Sequence, residues 1–132
     1  MLISFFKNLS RAAEQQLRSS WHLARLRKKY PTCHFYPGIC VDPASSLGKY
    51  DVIFADTSII NSTIGDHSFV QKNSTVLNAD IGKFCSIASR VSIGLGQHPT
   101  DRVSSHPAFY SNTQPIARSF SQKDDYVPFQ RI

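Results

Sequence analysis

A six-residue rhythm of bulky apolar side chains constrains this chain more than any other feature. They fall at Phe35, Val41, Leu47, Ile53 and Ile59, resume after a slip of one residue at Ile64, Val70 and Val76, and after another slip at Ile81, Ile87 and Ile93. Small side chains follow many of them at the fourth position, at Ser45, Thr57, Thr63, Ser68, Ser74 and Cys85. Glycine follows directly at Gly48, Gly65, Gly82 and Gly94. Neither a helical period of 3.6 nor a strand alternation of two produces this spacing. A solenoid of six-residue units does: each unit supplies one short strand and one turn, and three units close a triangular coil. The bulky residue then fills the axis and the small one lets the chain turn inward. Sandwich strands are also bounded by turn residues, but they recur about every eight to twelve residues. The expected fold is all-β, a parallel β-helix over residues 31–96.

Residues 1–30 follow a different period. Leu2, Phe5, Phe6, Leu9, Ala13, Leu17, Trp21 and Ala24 recur at steps of three and four, with no Gly or Pro before Pro31, which predicts an amphipathic α-helix with a basic last turn. Lys7 and Arg11 interrupt any run long enough to span a bilayer, and the uninterrupted apolar centre of a signal peptide is missing. Two roles fit such a helix: a cap over the open first coil, or a helix lying on an anionic membrane surface.

Composition narrows the classes further. With 132 residues and 41% apolar side chains the chain can bury one core, so a single domain is expected. Cys33, Cys40 and Cys85 are odd in number and form no Cys-x-x-Cys pair. Neither a disulfide framework nor a zinc knuckle is indicated, and a reducing cytoplasmic setting is expected, peripheral to the membrane if the helix lies on one. The net charge of +6 lies wholly in the helix, where seven basic side chains face Glu14 alone; residues 31–132 carry eight of each sign. A basic stripe on one helix without a recognition motif does not make a nucleic-acid domain, so no nucleic-acid partner is expected.

The rhythm stops in "IGLGQHPTDRVSSHPAFY", residues 93–110, and an excursion over 97–126 carries Pro99, Pro107 and Pro115 before residues 127–132 turn apolar again. A loop this long inside a compact domain is usually functional. Cys85 and Cys33 read as small core residues and His67 as a solvated turn residue.

The stretch "IGDHSFVQKNSTVLNADIGKFCSIASRVSIGLGQHPTDRVSSHPAFY" resembles the hexapeptide-repeat acyltransferases, and within them the branch of chloramphenicol, streptogramin and polysaccharide O-acetyltransferases. "IGKFCSI", a Gly-rich step, a Gln-His pair and a Ser-x-Pro-aromatic loop carry the likeness, which covers residues 31–132. It implies a left-handed parallel β-helix, a homotrimer with sites between subunits, acetyl-CoA as co-substrate and a saccharide or similar hydroxyl acceptor. It also implies that His98 is the general base. The chemistry agrees: transfer to an alcohol needs its proton removed as oxygen attacks the thioester, and an imidazole can take it and return it to the departing thiolate. Gly94 and Gly96 permit a backbone path off the coil, where N–H groups can meet a tetrahedral oxyanion. His106 and Tyr110 are candidates for contacting the acceptor, although the Ser-Ser-His-Pro setting of His106 also suits loop scaffolding. No cofactor-binding residue is assigned.

Two other readings stand beside this one. A gamma-type carbonic anhydrase would need three converging imidazoles; His67, His98 and His106 supply them only across a trimer, and no metal is expected. A non-catalytic β-helix serving as a trimeric scaffold is the stronger rival. Family members continue with further coils that line the pantetheine arm, whereas residues 127–132 only begin the next one. The expectation for these 132 residues alone is weak acetyl-CoA binding or none.

Overall fold

The structure, a computed structural model, describes residues 2–113 and 115–132, with the side chains of residues 2–10 and 12 outside the description. A long helix, α1 (Leu2–Lys29), precedes eleven short strands. These are β1 (His34–Phe35), β2 (Cys40–Val41), β3 (Ser46–Leu47), β4 (Val52–Ile53), β5 (Ser58–Ile60), β6 (Thr63–Ile64), β7 (Phe69–Val70), β8 (Thr75–Leu77), β9 (Asp80–Ile81), β10 (Ser86–Ile87) and β11 (Ser92–Ile93). Every apolar position of the six-residue rhythm lies on one of these strands. They stack as three parallel sheets, β1-β4-β7-β10, β2-β5-β8-β11 and β3-β6-β9. The chain is thus a parallel β-solenoid of about four coils, as expected of a left-handed β-helix.

The slips in the rhythm have a place in this architecture. Both fall at the corner between the second and third sheets, after Ile59 and after Val76, and each turns there on an asparagine at positive φ, Asn61 and Asn78. The Asn61 amide donates to the Asn78 side-chain oxygen at 2.7 Å, binding one short corner to the next. Short side chains such as Asn and Asp tolerate this left-handed region best, and Asp56 and Asn73 fill it at another corner. At the third corner Tyr50, His67 and Phe84 occupy it with φ of 62°, 59° and 57°. For aromatic side chains that conformation is costly, and stacking offsets it: His67 lies 4.9 Å from the Tyr50 ring and 5.0 Å from Phe84. His67 is exposed, as expected, and serves as the middle rung of this stack.

Ile53, Ile59, Val70 and Val76 are wholly buried on the axis and Ile64 is 1% exposed. Beside them run columns of small inward residues that do more than save space. Ser68 Oγ accepts from Cys85 N at 3.0 Å and donates to Gly82 O at 3.1 Å; Ser62 Oγ and Ser74 Oγ accept from Ala79 N and Val91 N in the same way. Each hydroxyl therefore satisfies backbone groups of the next coil that the turn leaves unpaired. At the shortened corner the inward residue is Ser62, three after Ile59; Thr63, expected there from its spacing, lies on β6 and is half-buried. The missing residue moves the inward position by one.

One column holds a carboxylate. Asp51 is wholly buried between Cys33 and Ser68, accepting from Gly48 N and Ser68 N, each at 2.9 Å. Burial pushes its carboxyl above the ordinary value near 3.8, against the pull of those two N–H donors. Burial likewise raises the Cys33 thiol, which donates to Gly48 O. Because the folded chain holds the Asp51 proton more tightly than the unfolded chain, its ionisation costs stability above the folded pKa, and that cost disappears as pH falls through it toward 3.8. Asp51→Ser places the Ser68 side chain one coil earlier and removes the effect. In urea unfolding between about pH 4 and pH 8, the variant's stability relative to wild type should rise with pH. A difference that is flat across that range would show that Asp51 is not held in the buried state described.

The helix meets the first coil through its last two turns. His22 Nε2 accepts from Val41 N at 3.2 Å and Arg27 donates to Phe35 O at 3.3 Å, so side chains satisfy strand groups for which no earlier coil exists. Leu26 is buried in the core, with Leu23 and Tyr30 packed against it. Only part of the expected cap is realised. Leu17 and Trp21, from the apolar stripe predicted to cover the coil, are 71% and 63% exposed, and Ala13 and Ala24 are exposed as well. Leu26 lies nine residues after Leu17, about half a turn round at about 100° per residue, so Leu17 and Trp21 point away from the coil. Leu2, Phe5, Phe6 and Leu9 lie outside the described side chains.

Candidate functional site

The excursion leaves the solenoid after β11 and is anchored at both ends. Gly94, at φ 70°, makes the departure; a side chain there would strike Leu77 O at 1.7 Å. At the return, Gln97 N donates to Pro128 O at 2.7 Å, Ile132 N donates to Asn78 O at 2.8 Å and Asp80 N donates to Ile132 O at 2.7 Å, adding the chain to the edge of the third sheet. Arg131 clamps this junction: its Nε reaches Asp80 at 2.7 Å and its other nitrogens reach Asn61 O at 2.8 Å and Thr63 Oγ1 at 3.1 Å. That pairing holds the Asp80 carboxyl below the ordinary carboxylate range.

Between these anchors the loop forms an ordered lobe around polar staples. Phe120 N donates to Ala108 O and Asp125 N to Tyr110 O, each at 2.8 Å, laying the later segment against the earlier one. Asp124 accepts from Ser111 Oγ, from Thr113 Oγ1 at 2.7 Å and from Asn112 N at 3.2 Å, with the Ser111 hydroxyl the main cause of its lowered pKa. Arg102 grips Asp125 through its carboxylate at 3.0 Å and its carbonyl at 2.8 Å. Tyr110 is 1% exposed at the centre of the lobe, its ring edge-on to Tyr126 at 5.5 Å.

His98 stands seventeen residues after Ile81, the interval that separates Leu47, Ile64 and Ile81. It therefore occupies the residue at which the next coil would place an axial side chain, on a chain that has just turned outward. Its imidazole is exposed, with Nδ1 at 3.1 Å from both Ser105 O and the Tyr110 hydroxyl. A carbonyl oxygen only accepts, so the Ser105 contact sets the proton on Nδ1, shared with the Tyr110 oxygen. Nε2 is left with its lone pair, the tautomer a general base requires.

His106, the second histidine of the loop, plays a different local part. Its Nδ1 accepts from Ala108 N at 3.1 Å and caps the single 3-10 turn Pro107–Phe109, which fixes the exposed imidazole with its proton on Nε2. Tyr110, a candidate for contacting the acceptor, is buried beneath His98 with its hydroxyl 3.1 Å from the imidazole Nδ1. Ser105, whose contribution is a carbonyl, gives no sequence signal, because any residue type supplies one. Phe109 belongs to the Ser-x-Pro-aromatic loop, while Phe120 carries no sequence signal; the two stack at 5.5 Å and are 56% and 63% exposed on this lobe.

The three histidines weighed for zinc have separate surroundings, and no group of three His, Cys, Asp or Glu side chains comes together among the described residues. All three cysteines are free thiols, Cys33 buried, Cys85 half-buried and Cys40 exposed. A cleft of about 640 Å³ lies away from His98, between α1 and the first coil, lined by His22, Arg25, Leu26, Lys28, Lys29, Val41, Asp42 and Pro43. Among the described residues no helix is long and apolar enough to cross a membrane. Compared with protein-family models and with curated proteins, the chain finds no match.

Proposed function

We propose that this chain belongs to an acetyl-CoA-dependent O-acetyltransferase in which His98 is the general base and the acceptor is a saccharide hydroxyl. One observation carries the reading: His98 is exposed with its Nδ1 proton engaged by Ser105 O, which leaves the Nε2 lone pair to accept a proton. In the reaction Nε2 takes the acceptor's hydroxyl proton while that oxygen bonds to the thioester carbonyl carbon. The tetrahedral intermediate collapses with cleavage of the carbon–sulfur bond, and the imidazolium returns its proton to the thiolate. The products are an acetyl ester and free CoA thiol, with the imidazole restored. The exposed Phe109–Phe120 pair offers an apolar ring surface to the non-polar face of a sugar. The resemblance of "IGKFCSI" and the His98 loop to the hexapeptide acyltransferases supports acetyl-CoA and a homotrimer with its sites between subunits.

The test is thiol release from acetyl-CoA in the presence of a panel of saccharides, with the acetyl ester identified by mass spectrometry. Because these 132 residues are expected to hold the donor weakly, saccharide-dependent release is expected only at high acetyl-CoA concentration or from a chain extended by further coils. Release no faster than uncatalysed hydrolysis with every acceptor, from a chain that sediments as a trimer, would replace this reading with the trimeric scaffold.

A further inference from the structure

We propose that the outward face of α1 is a docking surface for an anionic lipid bilayer. The helix divides its labour: His22, Leu23, Leu26 and Tyr30 face the first coil, while Leu17 and Trp21 stand on the opposite side, 71% and 63% exposed. This outward apolar stripe has a charged margin. Arg11, Arg18, Arg25 and Lys29 are all exposed and lie about 80° to 120° round the helix from Leu17, in one line along the axis. Arg25 sits 4.6 Å over the Trp21 ring, joining the cationic line to the apolar one.

Charge selects the occupant. The chain's whole excess of positive charge belongs to this helix, with Glu14 its one acid. A second copy of the same face would bring like charges together, which disfavours a helix pair. Duplex nucleic acid would engage the cations and leave Leu17 and Trp21 in water. A bilayer of acidic lipid satisfies both halves: Leu17 and Trp21 enter the headgroup boundary while the arginines meet phosphate and carboxylate. The coil then lies on the far side of α1 from the lipid, and the His98 lobe, at the other end of the solenoid, is turned toward solvent. The surface is independent of the acetyl-transfer reading.

Trp21 is the only tryptophan in the chain and reports the contact directly. The experiment mixes the full chain with vesicles of phosphatidylcholine alone or containing one quarter phosphatidylserine by composition. Co-sedimentation with the acidic vesicles, a blue shift of Trp21 emission and loss of both at high salt are expected. Replacing Arg11, Arg18 and Arg25 by Gln should weaken partitioning by about a hundredfold, near fivefold for each cation. The double variant Leu17→Glu, Trp21→Glu should weaken it at least as much, and an unchanged thermal melt would show that the coil is intact. Equal binding to both vesicle types, an unshifted Trp21, or a Leu17/Trp21 variant that binds like wild type would overturn the proposal. Reversible self-association abolished by the same double variant would assign the face to a second copy, and salt-dependent duplex binding without vesicle binding would assign it to nucleic acid.

Discussion

His98→Ala should lower acetyl transfer by about a hundredfold to ten-thousandfold, the usual worth of a positioned general base. The loss should appear in kcat, because in the proposed reaction the imidazole takes a proton that moves only in the transition state. The coil should remain folded, since His98 is exposed and its hydrogen bonds are made only within the lobe. Tyr110→Phe gives the companion measurement. It keeps the buried ring against Tyr126 and removes only the hydroxyl at His98, so a loss of about tenfold to a hundredfold with an unchanged melting temperature is expected. His106→Ala removes the cap of a single 3-10 turn and should cost much less. A His98→Ala variant that keeps more than about a tenth of normal turnover would remove His98 from the proposed mechanism.

The largest effect on stability is expected at the centre of the solenoid. Ile59 is wholly buried on β5, in register with Val41 on one side and Val76 on the other. Ile59→Ala deletes three carbons from a column that cannot close the gap, because the coil spacing is set by backbone hydrogen bonds. A cost of about 2–5 kcal/mol follows. In a stack where each coil touches only its neighbours, a central lesion also weakens the coupling between the two halves, and the unfolding transition should broaden. Ile93→Ala, at a half-buried position on the last strand, should cost less than half as much. The comparison is made by urea unfolding. Equal losses at the two positions would show that burial does not grade along the axis as described.

The legible part of this fold is the part set by periodicity. A β-helix repeats one local geometry, so each apolar residue from Phe35 to Ile93 announced its own strand, and even the slips proved to be corners shortened at one edge. Asp51 escaped notice because a carboxylate is not expected at an inward position. It is tolerated there only because Gly48 N and Ser68 N converge on it from two coils. The candidate base was legible from the His-Pro loop and its resemblance to a family; its orientation was not.

What the sequence by itself determined is the local period, the helix ahead of it and the confinement of net charge to that helix, because each depends on residues close together in the chain. Only the tertiary structure decided the rest. It turned the stripe of Leu17 and Trp21 outward, because the first coil's unpaired groups are met by His22 and Arg27, while Leu26 on the same side of α1 enters the core. It made the proline-bearing excursion an ordered lobe, because Asp124, Asp125 and Arg131 find partners 11 to 70 residues away. And it chose the tautomer of His98 through a backbone carbonyl and a buried hydroxyl, contacts between loop segments that no local pattern records.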